Sequence, residues 1–143
     1  VMPVGPHKGP ELTKSQQTEN SETVHRAWRL SYKHIRHSLK NAFYQGWDLH
    51  PGQLPVRYGA LYSFFHEGLD AATVRLKNFI DQAAKATLVG DVFDDAATGQ
   101  GLLNYFLKAY NCGAITEKEI LATGLTLEDV RMRSFLKILE SKK

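Results

Sequence analysis

Residues 44–58 read YQGWDLHPGQLPVRY. Large residues alternate through Gln45-Gly46-Trp47-Asp48-Leu49, and Gly46 and Pro51-Gly52 bound the run, which predicts a short strand. His50 precedes Pro51 and is pushed toward extended backbone. Pro55 then suits the first turn of a helix. A strand cannot satisfy its own backbone N–H and C=O groups, so this one needs partner strands. The rest of the chain offers only one other candidate. Val1-Met2-Pro3-Val4 is a short apolar piece ahead of Gly5-Pro6 and Gly9-Pro10, and it reads as the end of a buried strand entering a loop. The sheet implied by these two segments exceeds what 143 residues show. Val1 ahead of Met2 points the same way, to a cut within a longer chain.

Between and beyond these segments the pattern is helical. Thr13 and Gln16 form a capping box. Val24, Ala27, Trp28, Ser31, Ile35, Leu39 and Ala42 recur at steps of three and four, which predicts a helix over about Lys14–Phe43 with one apolar face and a possible break near Asn20-Ser21. From Pro55, Val56, Tyr58, Leu61, Tyr62 and Phe65 continue a second helix, which Gly68 interrupts or bends. Leu76, Phe79, Ile80 and Ala83 form a core stripe ending near Gly90. Asp94 or Asp95 caps the next helix, with Leu102, Leu103, Phe106, Leu107 and Tyr110 on its face and Gly113 as the terminating glycine. Thr116 and Glu119 form another capping box for a short helix stopping at Gly124. Thr126 opens a last helix through Val130, Phe135, Leu136 and Leu139. The expected class is therefore mainly α in this chain.

Composition narrows the function classes. Hydrophobic residues are 43% and charged residues 23%, with 18 Lys+Arg against 15 Asp+Glu. That is an ordinary globular balance with enough apolar surface to offset chain entropy. No apolar run is long enough to span a bilayer, and residues 1–10 lack the features of a signal or transit peptide, so no membrane association is expected and the cytoplasm is the default compartment. The single Cys112 fits a reducing setting and reads as a buried thiol, having no histidine near it in sequence to act as base. Arg26, Arg29, Lys33, Arg36 and Lys40 interleave with apolar residues, as a solvated helix face does, so no nucleic-acid partner is expected. His34 and His37 share a helix face but lack an evident third ligand, so no metal is assigned to them. Gly99-Gln100-Gly101 lacks the preceding strand and third glycine of a phosphate loop, and reads as a helix packing site.

The dense run 44–58 is the candidate site. Trp47, Asp48, His50 and Gln53 are the proposed substrate-binding residues, at the position where barrel strands end and face the active site. The bland alternative has Trp47 and Leu49 filling a barrel interior while His50 and Gln53 bond a loop.

At this point the sequence resembles a known superfamily. Gly46-x-x-x-His50-Pro51-x-Gln53 is similar to the G-x-x-x-H-P-x-Q signature of the HpcH/HpaI aldolase and citrate-lyase beta-subunit superfamily, which includes malyl-CoA lyase. The stretches FYQGWDLHPGQLPVRY, VMPVG, VHRAWRL, CGA and DDAATGQGLLNYF resemble an aldolase-like branch of it, so the resemblance covers nearly the whole chain. It implies a (β/α)8 TIM barrel, of which this chain holds the C-terminal portion. Val1–Val4 would end a late strand, Lys14–Phe43 would be the crossover helix and Gln45–Leu49 the last strand. Residues 1–90 would form the end of the barrel with its closing helices, and 91–143 a helical C-terminal extension. The family's chemistry is Mg²⁺-dependent cleavage or formation of carbon–carbon bonds in oxo-acid or acyl-CoA substrates, with the metal stabilising an enolate. The ligands of the metal and the enolate-stabilising Arg lie on earlier strands, so this segment alone is expected to bind no cofactor and to be inactive, although a coenzyme A thioester substrate remains possible for the whole enzyme. Val92-Phe93-Asp94-Asp95-Ala96 loosely matches the family's I-D-x-P pattern. Asp94 would then be a catalytic aspartate donated to a neighbouring subunit, in a homo-oligomer; the proline is replaced by Ala96, and Asp94 equally suits a helix N-cap. The alternative function is a stand-alone helical interaction or oligomerisation module.

Overall fold

The computed structural model describes residues 11–44, 46–89 and 96–141. The described residues are mainly helical: α1 (Lys14–Lys40), a single 3₁₀ turn (Pro51–Gln53), α2 (Leu54–Val89), α3 (Ala96–Asn111), α4 (Glu117–Leu121), α5 (Leu127–Arg131) and α6 (Phe135–Ser141). The chain divides into two compact units, Val1–Ala60 and Leu61–Lys143, with the boundary inside α2. No helix among the described residues is long and apolar enough to cross a membrane.

No strand occurs among the described residues. Val1–Val4 and Gln45 lie outside the described residues, and Gly46–Leu49 is irregular rather than a strand. The reason is the one the sequence raised: a strand needs a ladder, and no second strand exists among the described residues to supply it.

In the first unit, α1 starts as its capping box requires. Thr13 Oγ1 accepts from the Gln16 N–H at 3.3 Å, and Gln16 Oε1 accepts from the Thr13 N–H at 3.0 Å. The helix passes Asn20-Ser21 without a break. Ile35 and Leu39, one turn apart, are buried on its apolar face. It ends when Ala42 turns to φ 62°, a left-handed position normally held by glycine, and the Phe43 N–H closes back on the Ser38 carbonyl at 2.9 Å.

The second unit has its own core, built from Phe65 and Leu76 of α2, Leu103 and Phe106 of α3, and Ile120, Val130, Phe135 and Ile138 from the short helices. Gly68 neither interrupts α2 nor ends it. It makes room for Tyr105, whose hydroxyl donates to the Phe65 carbonyl at 2.7 Å; a Cβ on Gly68 would stand 2.9 Å from that oxygen. The Gly99-Gln100 pair is a packing site, as its sequence suggested. Gly99 lies against the Phe135 ring, which a Cβ would meet at 2.5 Å.

The single last helix expected from Thr126 is two helices. Arg133 adopts φ 56° and breaks the run. The backbone freed by that break is taken up by Gln100, whose Oε1 accepts from the Phe135 N–H at 2.9 Å and whose Nε2 donates to the Arg133 carbonyl at 3.2 Å. Gly113 (φ 76°) and Gly124 (φ 86°) stand just past α3 and α4, in the left-handed conformation that closes a helix.

Two predictions follow from this packing. Gly99→Ala forces Phe135 or α3 to shift and destabilises the chain by about 1–3 kcal/mol, read as a lower urea midpoint. The second concerns Glu119, whose carboxylate accepts from the Thr116 N–H at 2.6 Å and from its hydroxyl at 2.9 Å. The Thr116 backbone bond, aided by its hydroxyl and by nearby His66 and Lys118, holds this carboxyl below its usual range. A depressed carboxylate adds stability above the unfolded-state value and loses it as pH falls through the folded-state one. The urea midpoint of the native chain therefore exceeds that of Glu119→Gln at neutral pH, and the difference closes in acid.

Candidate functional site

The run from Gly46 to Arg57 is shaped by side chains bonding to nearby backbone. His50 is extended, with φ −149° and ψ 141°, as its position before Pro51 demands. Pro51 begins the 3₁₀ turn, where its missing N–H costs nothing. Gln53 Oε1 then accepts from the Leu49 N–H at 2.7 Å and the His50 N–H at 3.1 Å. His50 Nδ1 accepts from the Gly52 N–H at 3.0 Å, which puts the neutral ring's proton on Nε2. His-Pro-x-Gln is thus a capping box with histidine in place of serine, and its spacing is that of an N-cap and its N3 partner.

The turn delivers the chain into α2, where Arg57 points back. Arg57 Nε donates to Asp48 Oδ2 in a mostly buried ion pair, and Nη2 reaches the Trp47 carbonyl at 3.3 Å. The guanidinium lies against Gly46; a Cβ there would stand 2.6 Å from Arg57 Cζ. Gly46 is therefore glycine because Arg57 occupies the side-chain space.

Asp48 and Arg57 form one end of a cavity of about 510 Å³ within the first unit. Its long wall is the α1 face carrying Arg26, Leu30, His34 and Ile35, and Phe43, Tyr44 and Trp47 close the other side. That volume lies in the range of small-molecule sites. Burial pushes the Tyr44 hydroxyl above its ordinary pKa. A smaller recess of about 310 Å³ lies between α1 and Gly52-Gln53, with Val24, Ala27 and Val56 among its walls.

A family model described as "Domain of unknown function (DUF6986)" matches residues 1–138. The chain belongs to the DUF6986 family. Neither curated proteins nor solved structures give a match.

In this DUF6986 chain the structure gathers Trp47, Asp48 and Gln53 at the cavity and sets His50 apart from it, with its ring turned to Gly52. Trp47 is 84% exposed. Asp94 lies outside the described residues. Sequence reasoning named Gly46 as a motif residue and His34 as one of a histidine pair, but assigned neither them nor Arg57 or Tyr44 to the site. The usable signal for Arg57 was charge, since Asp48 and Arg57 flank a predicted turn. The signal for Gly46 was its motif position, Tyr44 opened the dense run 44–58, and His34 drew notice only as a partner of His37. Cys112 is half-buried, with its thiol 3.3 Å from the Ala109 carbonyl. No three His, Cys, Asp or Glu side chains are grouped to hold a metal ion among the described residues.

Gln53→Ala removes the acceptor of two N–H groups at once. The expected loss is about 1 kcal/mol of stability in urea with altered Trp47 fluorescence, while Gln53→Glu, which keeps an acceptor, stays near the native value.

Proposed function

We propose that this chain is the C-terminal segment of a Mg²⁺-dependent carbon–carbon lyase or aldolase acting on oxo-acid or acyl-CoA substrates, and that it is silent by itself. One observation supports the reading most. Trp47 and Leu49, two residues apart in an irregular stretch that leads directly into the His-Pro-x-Gln turn, are each 84% exposed. Alternate apolar side chains left in water are what a barrel strand shows when its neighbours are supplied by other residues.

On this reading Trp47 and Asp48 face the substrate. His50 and Gln53 are positioning residues that set the turn, and Arg57 fixes the direction of the Asp48 carboxylate. Asp94 would serve a neighbouring subunit of a homo-oligomer. By the resemblance, a Mg²⁺ ion would be held by carboxylates on the earlier strands of the barrel and would supply Lewis-acid stabilisation of an enolate. Cys112 suits a cytoplasmic setting.

A second reading is favoured by a separate observation. The unit Leu61–Lys143 closes its own core around Phe65, Phe106 and Phe135, as an independent helical interaction module would.

The test is an assay with Mg²⁺ and a panel of 3-hydroxyacyl-CoA and 4-hydroxy-2-oxo acid substrates, run on this chain and on the same chain extended by the reading frame upstream of Val1. Turnover is expected only from the extended protein, and chelation abolishes it. Turnover by the 143-residue chain sinks the segment claim. Silence of the extended protein sinks the lyase claim and leaves the helical module.

A further inference from the structure

His50 holds its turn in a way that only one protonation state allows. Its Nδ1 accepts from the Gly52 N–H at 3.0 Å, and its backbone carbonyl accepts from the Gln53 N–H at 3.0 Å. Serine, threonine, asparagine and aspartate are the usual residues at a helix N-cap, and none of them loses its acceptor in neutral or mildly acidic water. An imidazole does, because protonation places an N–H on both ring nitrogens. The protonated ring would aim Nδ1–H at the Gly52 N–H, two donors with no acceptor between them. Its charge would also sit at the start of the Pro51–Gln53 turn, which runs directly into α2, where free backbone N–H groups favour anions and oppose cations. The His50 residue is exposed, so protons reach it without any prior opening.

Few charges surround it. In the same stretch they are Asp48 and Arg57, which are committed to each other. The first turn of α2 carries no acid. Across the smaller recess α1 faces Gly52 and Gln53 with Val24, Ala27, Trp28 and Ser31, none of which titrates. On the side of the larger cavity α1 presents Arg26 and His34. Among the described residues no carboxylate other than Asp48 lines either space, so no free anion stands by to offset a charged His50.

We propose that His50 is a pH-sensitive latch: the neutral ring closes the turn, and protonation in mild acid releases it. The closed turn takes only the neutral ring, so it is favoured above the imidazole range and lost as pH falls through that range. Gln53, whose Oε1 holds the Leu49 and His50 N–H groups, is the other half of the same capping box, and the two halves loosen together. The effect falls on Trp47 and Asp48, which the chain carries just ahead of the latch at the edge of the 510 Å³ cavity. In acid they lose the backbone anchor that sets their direction. The latch rests on bonds within the turn and holds whichever reaction the whole protein performs.

The test is NMR of the full 143-residue chain between about pH 8 and about pH 5.5, a window above the ordinary carboxylate range. At the upper end the His50 ring nitrogens are expected to show the tautomer with its proton on Nε2. As that ring titrates, the Leu49, His50 and Gly52 amide signals and the Trp47 indole signal move with it in one transition. Hydrogen-exchange protection of the Gly52 amide falls about fivefold, the usual worth of an N-cap. His50→Asn keeps an acceptor that does not titrate, and its Gly52 amide stays at the closed position through the window. His50→Ala puts the same signals at the open position at every pH. Should His50→Asn lose helicity by circular dichroism, His50→Ser takes its place with the same expectation. A proton on Nδ1 at the upper end, a Gly52 amide that ignores the titration of His50, or the same transition in a folded His50→Asn each overturns the proposal, the last in favour of His34.

Discussion

The backbone of residues 47–52 has no strand beside it among the described residues, and every feature of the candidate site answers to that fact. Backbone amides and carbonyls must find partners. Here the partners are side chains a few residues away. Gln53 takes the Leu49 and His50 amides, His50 takes the Gly52 amide, and Arg57 donates to the Trp47 carbonyl. Because Arg57 is paired with Asp48, a side chain at position 46 would have to push its guanidinium off that partner. The motif G-x-x-x-H-P-x-Q thus has a local physical content before any chemistry is assigned to it.

The second unit relies on the same device over longer separations. Gln100 serves both sides of the break between α5 and α6, and Tyr105 bonds a carbonyl inside α2. In each case a glycine, Gly99 or Gly68, lets the partner element approach. Polar side chains on α3 therefore place the helices that its apolar face buries. These bonds fix geometry as much as they add energy, since an intramolecular hydrogen bond nets only about 1 kcal/mol.

What sequence could disclose was whatever local chemistry decides. The capping boxes at Thr13 and Thr116 were legible because cap and partner lie three residues apart, and Thr126 was legible as a cap, though its Asp129 partner was not named. So were the glycines at 113 and 124, which only a left-handed terminus explains well. The split between α5 and α6 was not legible, because the side chain that takes up the freed backbone, Gln100, is more than thirty residues away. Gly68 read as a place where the helix stops or bends for the same reason: Tyr105, which needs the space, is distant in sequence. The alternation at 45–49 carried a real signal of apolar residues on one side. It could not reveal whether a ladder partner was present, and without one the segment is irregular. At the candidate site, Trp47, Asp48 and Gln53 were visible as an unusual concentration of residue types. The wall formed by α1 was not, since it depends on how the chain turns back after Ala42.

The turn at His50–Gln53 also bears on the order of folding. Its bonds join residues two to four apart, and the Asp48–Arg57 pair joins residues nine apart. Loops this short close in tens of nanoseconds, whereas the contacts of Gln100 with α6 wait on chain diffusion over far longer spans. The turn at the edge of the cavity therefore closes on local contacts alone, whereas the α1 wall it faces joins it only where the chain folds back after Ala42. A ligand arriving there meets a surface whose conformational entropy has already been surrendered to the turn, so less of its binding energy goes into ordering the protein.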